Sequence, residues 1–372
     1  MKAAERKQLE AFLLRARLNE GSAPRKHHTV PSSYIARWAV KGRVRLTNVE
    51  SGETHVTTPA KACRISDFYR LEAEHLDPDQ VPPLLMETLY SEVESWARKI
   101  IDSLVGDAPQ LPPGDLASFA WFLAFQFTRG AGHREELKVF SNEMVKLEYG
   151  SLSDEGIRSE LRRRGVSDPS PELVASSRVL LSDVTAGKAS MAPPDASLAG
   201  TAAETASELG EYFLARTWIV YRTPPILLTC DEPIVTIGGP GTPRDERAGV
   251  ANAGVIIFPL DPTHLLAMMR TDLAVAHGMP PGQIFERELD RVDAVDVCKE
   301  VSMNAHRWSI EQPTLSMAEL FPIPTAPEAW AMEAAGTVEE DGQKGVVYRN
   351  YKPTRWKDHP FPAAWPVASW WL

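Results

Sequence analysis

Three polar side chains interrupt an otherwise apolar run at residues 116–133: Gln126, Arg129 and His133. At spacings of i, i+3 and i+7 they share one face of a helix. The rest of that helix is apolar on every side, which is the pattern of an element in the middle of a core. An arginine on such a helix needs a carboxylate, because an unpaired buried charge is very costly. Glu94 is the leading candidate and Glu87 the next; both lie on one face of a preceding helix at residues 84–105. With about 1.5 Å of rise per residue, Glu94 sits roughly 18 Å before the Gly/Pro loop at 106–114 and Gln126 about 18 Å after it. An antiparallel helical hairpin therefore brings Glu94 and Arg129 to within one turn of the same level.

Two further groups suit the same chemistry. His27 and His28 are adjacent, and an extended backbone points them to opposite sides, so one of them reaches a given site. Asp231 closes an apolar strand just before Pro233. One histidine with Glu94 and Asp231 makes a divalent metal site with an open position for water. Arg129 would then hold a phosphate while that water attacks it. The structural alternative is an ion pair between Glu94 and Arg129, with one histidine bonded to Glu94 and the other capping a turn. Cys230, Asp231 and a histidine also invite comparison with a thiol nucleophile, but a buried inert cysteine is the simpler reading. His306 stands at a strand start and reads as structural.

Composition limits the field. The chain has 372 residues with 43% hydrophobic and 24% charged, an ordinary globular balance. Its formal net charge of −10 gives no nucleic-acid footprint, and the cluster of Arg158 with Arg162, Arg163 and Arg164 reads as a solvated helix face. The three cysteines, at 63, 230 and 298, form no CxxC pair and fit reduced thiols in a cytoplasm. No stretch has the length of a membrane span, and residues 1–21 carry too many charges for a signal peptide.

The elements that position these groups follow from periodicity. Residues 1–21 give a short amphipathic helix that packs on the body or on a second copy. Residues 43–49 and 53–58 alternate as a hairpin around Ser51-Gly52. Helices follow at 84–105, 115–149, 153–164, 170–187 and 201–216. After Arg216 the period switches to strands at 217–221, 226–229, 254–260 and 264–269, then a helix near 284–305 and a strand near 306–310. Residues 311–372 are rich in Pro and Trp and read as a strap over the surface. The expectation is a single α+β domain over residues 26–310, with a central helical hairpin and further helices packed on a mainly antiparallel sheet.

Several patches, taken in order, resemble a bacterial family known as domain of unknown function 4238. They are Lys26-His27-His28-Thr29-Val30-Pro31 through Trp38, Ser66-Asp67-Phe68-Tyr69, Glu87 through Glu94, and Phe125-Gln126-Phe127-Thr128-Arg129. Thr229-Cys230-Asp231-Glu232-Pro233, Phe258-Pro259-Leu260 and Asn304-Ala305-His306-Arg307 complete the series. The family usually has Ser-Asp-Asn-Pro in place of residues 230–233, and Thr-Pro after the arginine in place of Gly130-Ala131. The resemblance brings no established activity. It implies that His27, His28, Glu94, Gln126, Arg129 and Asp231 belong to one constellation.

Three functions follow from these readings. One is a hydrolase, metal-assisted or not, acting on a phosphate-containing substrate such as a nucleotide. Another is a non-catalytic domain that binds an anionic small molecule in the same polar pocket. The last is an interaction protein, for example in a bacterial defence or toxin system, whose polar cluster serves stability alone.

Overall fold

The computed structural model describes residues 3–18, 26–72, 76–78, 80–239, 242–327, 331–340 and 343–357. The chain divides into two compact units, Met1–His133 with Asp195–Leu372 and, inserted between these, Arg134–Pro194.

The first unit begins with α1 (Ala3–Leu18) and a short strand β1 (Lys26–His28). One turn of helix, α2 (Ser32–Ile35), follows. It is pinned by side chains that reach far along the chain. The Tyr34 hydroxyl donates to the Pro259 carbonyl at 2.8 Å, and Trp38 Nε1 donates to the Leu227 carbonyl at 2.7 Å. The expected hairpin is present as β2 (Val44–Asn48) and β3 (Thr54–Thr57). A strand the sequence reading missed, β4 (Arg64–Ser66), pairs antiparallel with β1. Then come α3 (Leu85–Leu104) and α4 (Pro113–Thr128), and α1 packs on α3, where Arg15 pairs with Glu92.

The long helix expected at 115–149 is two helices. Helix α4 stops at Thr128, and α5 (Ala131–Tyr149) starts two residues beyond Arg129. The cause lies elsewhere in the chain. The Glu232 carboxylate accepts the Gly132 amide at 2.7 Å, and a side chain at Gly130 would begin 2.9 Å from the same oxygen. A carboxylate at a helix start answers the first free amides. The second unit holds most of α5, then α6 (Asp154–Arg163) and α7 (Pro171–Thr185), which Ser153 and Ser170 cap at their first turns.

Back in the first unit, α8 (Asp195–Leu214) packs against α4, and the fit is close. A side chain at Gly210 would begin 2.8 Å from Trp121 Cδ1, and Ala199, Ala202 and Ala206 are buried beside it. The strands that follow are β5 (Thr217–Arg222), β6 (Thr229–Cys230), β7 (Val235–Ile237), β8 (Val255–Asp261) and β9 (His264–Met269). After α9 (Thr271–Ala276) comes β10 (Ile284–Glu288), in a stretch expected to be helical. The helix there, α10 (Arg291–Asn304), begins only after Asp290, whose carboxylate accepts the amides of Val292 and Asp293. Strand β11 (Trp308–Glu311) closes the series.

These strands make two main sheets. One has the order β10-β5-β9-β8-β7, antiparallel except for the β10–β5 pair. The other, β3-β2-β11-β6, is wholly antiparallel. The fold is thus α+β with mainly antiparallel sheets. Both faces of the five-stranded sheet are covered. Trp218 and Phe258 meet Phe119 and Phe122 of α4, while Ile219, Ile257 and Leu265 share a core with Val297 and Val301 of α10. That explains why β8 and β9 read as unbroken apolar runs. Among the described residues no helix is long and apolar enough to cross a membrane.

The strap is more regular than its sequence suggests. It contains a hairpin, β12 (Ala331–Glu340) with β13 (Gln343–Tyr351). Residues 351–357 are then tied down. Thr354 donates to the Asp245 and Arg244 carbonyls, Arg355 to the carbonyls of Pro324 and Ala305, and the Trp356 ring lies 4.8 Å from the Arg244 guanidinium. Arg244 itself pairs with buried Glu300. Residues 358–372, part of the expected strap, lie outside the described residues. Trp356→Ala is expected to free this segment by local unfolding, at a cost of about 1–2 kcal/mol to the whole. Limited proteolysis should cleave the variant in the strap first; equal cleavage rates for variant and wild type would overturn this.

Candidate functional site

Strand β1 sorts its two histidines as a period of two requires. His27 is 1% exposed; its Nδ1 accepts the Tyr69 amide at 2.8 Å and its ring stacks on Tyr69. That is a structural position. His28 points the other way and is half-buried, with Nε2 donating to the Ala60 carbonyl at 3.2 Å. Burial lowers its pKa, which the Ala60 carbonyl and Glu94 only partly restore against Arg64 and Arg129.

Glu94 and Arg129 meet as their helices predict. Arg129 Nη1 donates to Glu94 Oε1 at 2.7 Å, with the arginine side chain 2% exposed and the glutamate 25%. The guanidinium lies 5.2 Å from the Tyr90 ring centre, and Tyr69 donates its hydroxyl proton to the Arg129 carbonyl. Burial works against the charge on Arg129, but Glu94, with Tyr69 and Tyr90, more than offsets it and raises the pKa. One edge of the guanidinium stays bare: Nε and Nη2 are enclosed with no acceptor. Gln126 has the same problem in reverse. Its Nε2 donates to the Thr29 carbonyl at 3.1 Å, while its Oε1 has no donor. Glu87, one and two turns before Tyr90 and Glu94 on α3, completes the group. Burial first, and then Glu94, raise its pKa.

The remaining candidates sit otherwise. His133 is on α5, past the break, with its ring 6.1 Å from Phe127, so it does not continue the face of Gln126 and Arg129. Asp231 is 8% exposed and holds a turn: its two oxygens accept the amides of His306, Arg307 and Trp308 at 2.9, 2.9 and 3.1 Å. Cys230 is buried, and burial raises its thiol pKa, so it is no nucleophile at neutral pH. The two departures from the usual family pattern meet in space. Glu232 stands where an asparagine is usual, and its longer carboxylate reaches Gly130 and Gly132, which carry no side chains to block it.

Beside Glu94 opens a shallow cleft between α2 and α3, with about 10 Å³ of free room. Ser33, Tyr34 and Arg37 form one wall, Glu94, Arg98 and Ile101 the other, and Phe122 of α4 contributes as well. Arg37 is occupied with Asp102 and the Arg98 carbonyl. Arg98 is exposed, and no acid partner is found for it among the described residues. Neither Arg37 nor Arg98 stands out in the sequence, where both look like ordinary surface arginines. Among the described residues, no three His, Cys, Asp or Glu side chains are grouped as a metal ion needs.

A family model described as "Protein of unknown function (DUF4238)" matches residues 26–314. No curated protein and no solved structure matches the chain.

Proposed function

The chain belongs to the DUF4238 family, and from that premise we propose that the cleft between α2 and α3 binds the oxyanion end of a small molecule, a phosphate or a carboxylate. One observation carries this: Glu94 both lines the cleft and carries the buried Arg129. A carboxylate fixed by a buried guanidinium at the wall of a cleft is a typical functional arrangement. Arg98 supplies the unneutralised positive charge, and the Ser33 hydroxyl a further donor. Pockets for whole small molecules run to about 300–1,000 Å³. The cleft beside Glu94 has only about 10 Å³ of free room, enough for one oxygen of a head group, with the rest of the ligand in solvent.

A second reading, hydrolysis of a phosphate ester, has its own support. Burial raises the pKa of Glu87 and lowers that of His28, which moves an acid and a base toward a common pH. Groups shifted in this way suit acid–base catalysis. In this reading His28 accepts a proton from water and Glu87 donates one to the leaving oxygen.

Titration calorimetry with inorganic phosphate and adenosine monophosphate, with and without Mg²⁺ or Mn²⁺, tests both. Wild type should bind, and Arg98→Gln should weaken binding about tenfold, with the fold retained because Arg98 is exposed. No binding by wild type sinks the proposal. Equal binding by Arg98→Gln moves the site away from this cleft. Phosphate released from a generic phosphate ester, lost in His28→Ala, would support the second reading.

A further inference from the structure

Helix α4 leans on α8 rather than on its hairpin partner. It packs far more closely on α8, where Gly210 admits the Trp121 ring, than on α3. The gap left between α3 and α4 is a cavity with about 200 Å³ of free room. That is roughly the share of six or seven liquid waters, the size of one amino acid. Helical spacing sets its lining. Trp96, Lys99, Ile100 and Ser103 stand at i, i+3, i+4 and i+7 on one face of α3, and Asp115 and Ser118 at i and i+3 on α4. Ser118 is small where a helix pair usually interlocks larger side chains, so the space stays open. The cavity shares no lining residue with the cleft at Glu94.

The fold makes no use of the charges on these walls. Among the described residues, Lys99 and Asp115 take part in no ion pair, either with each other or with a third group. The Ser118 hydroxyl and Trp96 Nε1 likewise bond to no other described protein atom. Ser103 is different, since its hydroxyl donates to the Lys99 carbonyl at 3.2 Å. The floor is apolar: Ile100 is buried, and Trp96 packs against the core. Lys99 and Asp115 are exposed, so solvent reaches the cavity past both charges.

We propose that this cavity binds a free α-amino acid with an apolar side chain, its carboxylate at Lys99, its ammonium at Asp115 and its side chain against Trp96 and Ile100. Two opposite charges that face one space without pairing suit a ligand that carries both charges itself. Either charge alone is poorly served: Asp115 repels an anion, and Lys99 repels a cation. The Ser118 hydroxyl can accept from the ammonium or donate to the carboxylate. The indole and the isoleucine side chain offer apolar cover, which favours an apolar side chain over a charged one.

Titration calorimetry of the full chain with L-leucine, N-acetyl-L-leucine and L-leucinamide tests this. The acetyl compound lacks the ammonium and the amide lacks the carboxylate, so each also stands for an end residue of a peptide. L-Leucine should bind, and each analogue should bind at least about tenfold more weakly. Lys99→Met and Asp115→Asn should each weaken L-leucine about tenfold. Ser118→Leu, which fills the cavity, should abolish binding. Lys99 and Asp115 are exposed, so their variants keep the fold. The site is disproved if L-leucine does not bind, if any of the three variants binds it as wild type does, or if either analogue binds as tightly. Arg98→Gln should leave L-leucine binding unchanged; its loss there would place the amino acid in the cleft at Glu94 and overturn the proposal.

Discussion

Arg129→Ala is expected to lower the stability of the chain by about 3–5 kcal/mol, the usual consequence of removing one partner of a buried ion pair. The side chain is 2% exposed and carries the 2.7 Å bond to Glu94 and the contact with the Tyr90 ring. Its loss leaves two acidic side chains, Glu87 and Glu94, on one helix face with their nearest cation gone. Arg129→Lys should recover part of the loss, because a single ammonium restores charge but not the planar fork. The defect should also depend on pH. The Glu87 pKa already stands above its ordinary value, and Arg129 is among the charges that pull it down. Without Arg129 it rises further, so the stabilisation by bound proton is present at low pH and is lost as pH rises through the folded value. The gap between variant and wild type should therefore be smaller at pH 5 than at pH 7.5. Urea denaturation at both pH values measures it, and an unchanged midpoint would show that the pair contributes nothing to stability.

The Glu94–Arg129 contact was legible because both residues lie on helices of known rise joined by a short loop. The turn-out of His27 and His28 was legible for a similar reason, a strand's period of two. What escaped the sequence depends on groups that are distant in the chain or carry no side-chain signature. The break after Arg129 falls at Gly130 and Gly132, poor helix formers that the apolar run on either side outweighs in a sequence reading, and it is fixed by Glu232, a hundred residues on from Gly132. Strand β10 is an edge strand, Ile284-Phe285-Glu286-Arg287-Glu288, whose three charged residues in a row look helical; parallel pairing with β5 decides it. The hairpin in the strap did leave a trace, Asp341-Gly342 between Thr337-Val338 and Val346-Val347-Tyr348, a dipeptide typical of a tight turn. The Pro and Trp content around it hid the signal. Arg216 resembled a cation at a helix end, and only the placement of Val250 and Met268 shows that it is buried.

Asp231→Ala is expected to cost about 2–4 kcal/mol, because three part-buried backbone amides lose a charged acceptor, each bond being worth about 1 kcal/mol or somewhat more. Part of that sum is returned, since the variant no longer buries a charge. The amides belong to His306, Arg307 and Trp308, where the chain leaves α10 and enters β11, so the loss should spread to the four-stranded sheet. Asp231→Asn distinguishes shape from charge: its amide nitrogen faces N–H donors, so at least one of the bonds is lost. The carboxylate also sets a pH dependence of unusual sign for an aspartate. Burial, and then Glu232, push its pKa up to about 6 from 3.8, against the pull of His306 and the Arg307 and Trp308 amides. The folded chain then binds this proton more tightly than the unfolded chain does. Its contribution to stability is full below about pH 4 and is lost as pH rises through 6, on the order of 3 kcal/mol over that window. Wild type should accordingly gain on Asp231→Asn as pH falls from 7 to 4. Unfolding free energies for the two proteins across that range give the comparison directly. A difference that stays flat would show that Asp231 keeps its ordinary acidity and that the three amides outweigh its burial.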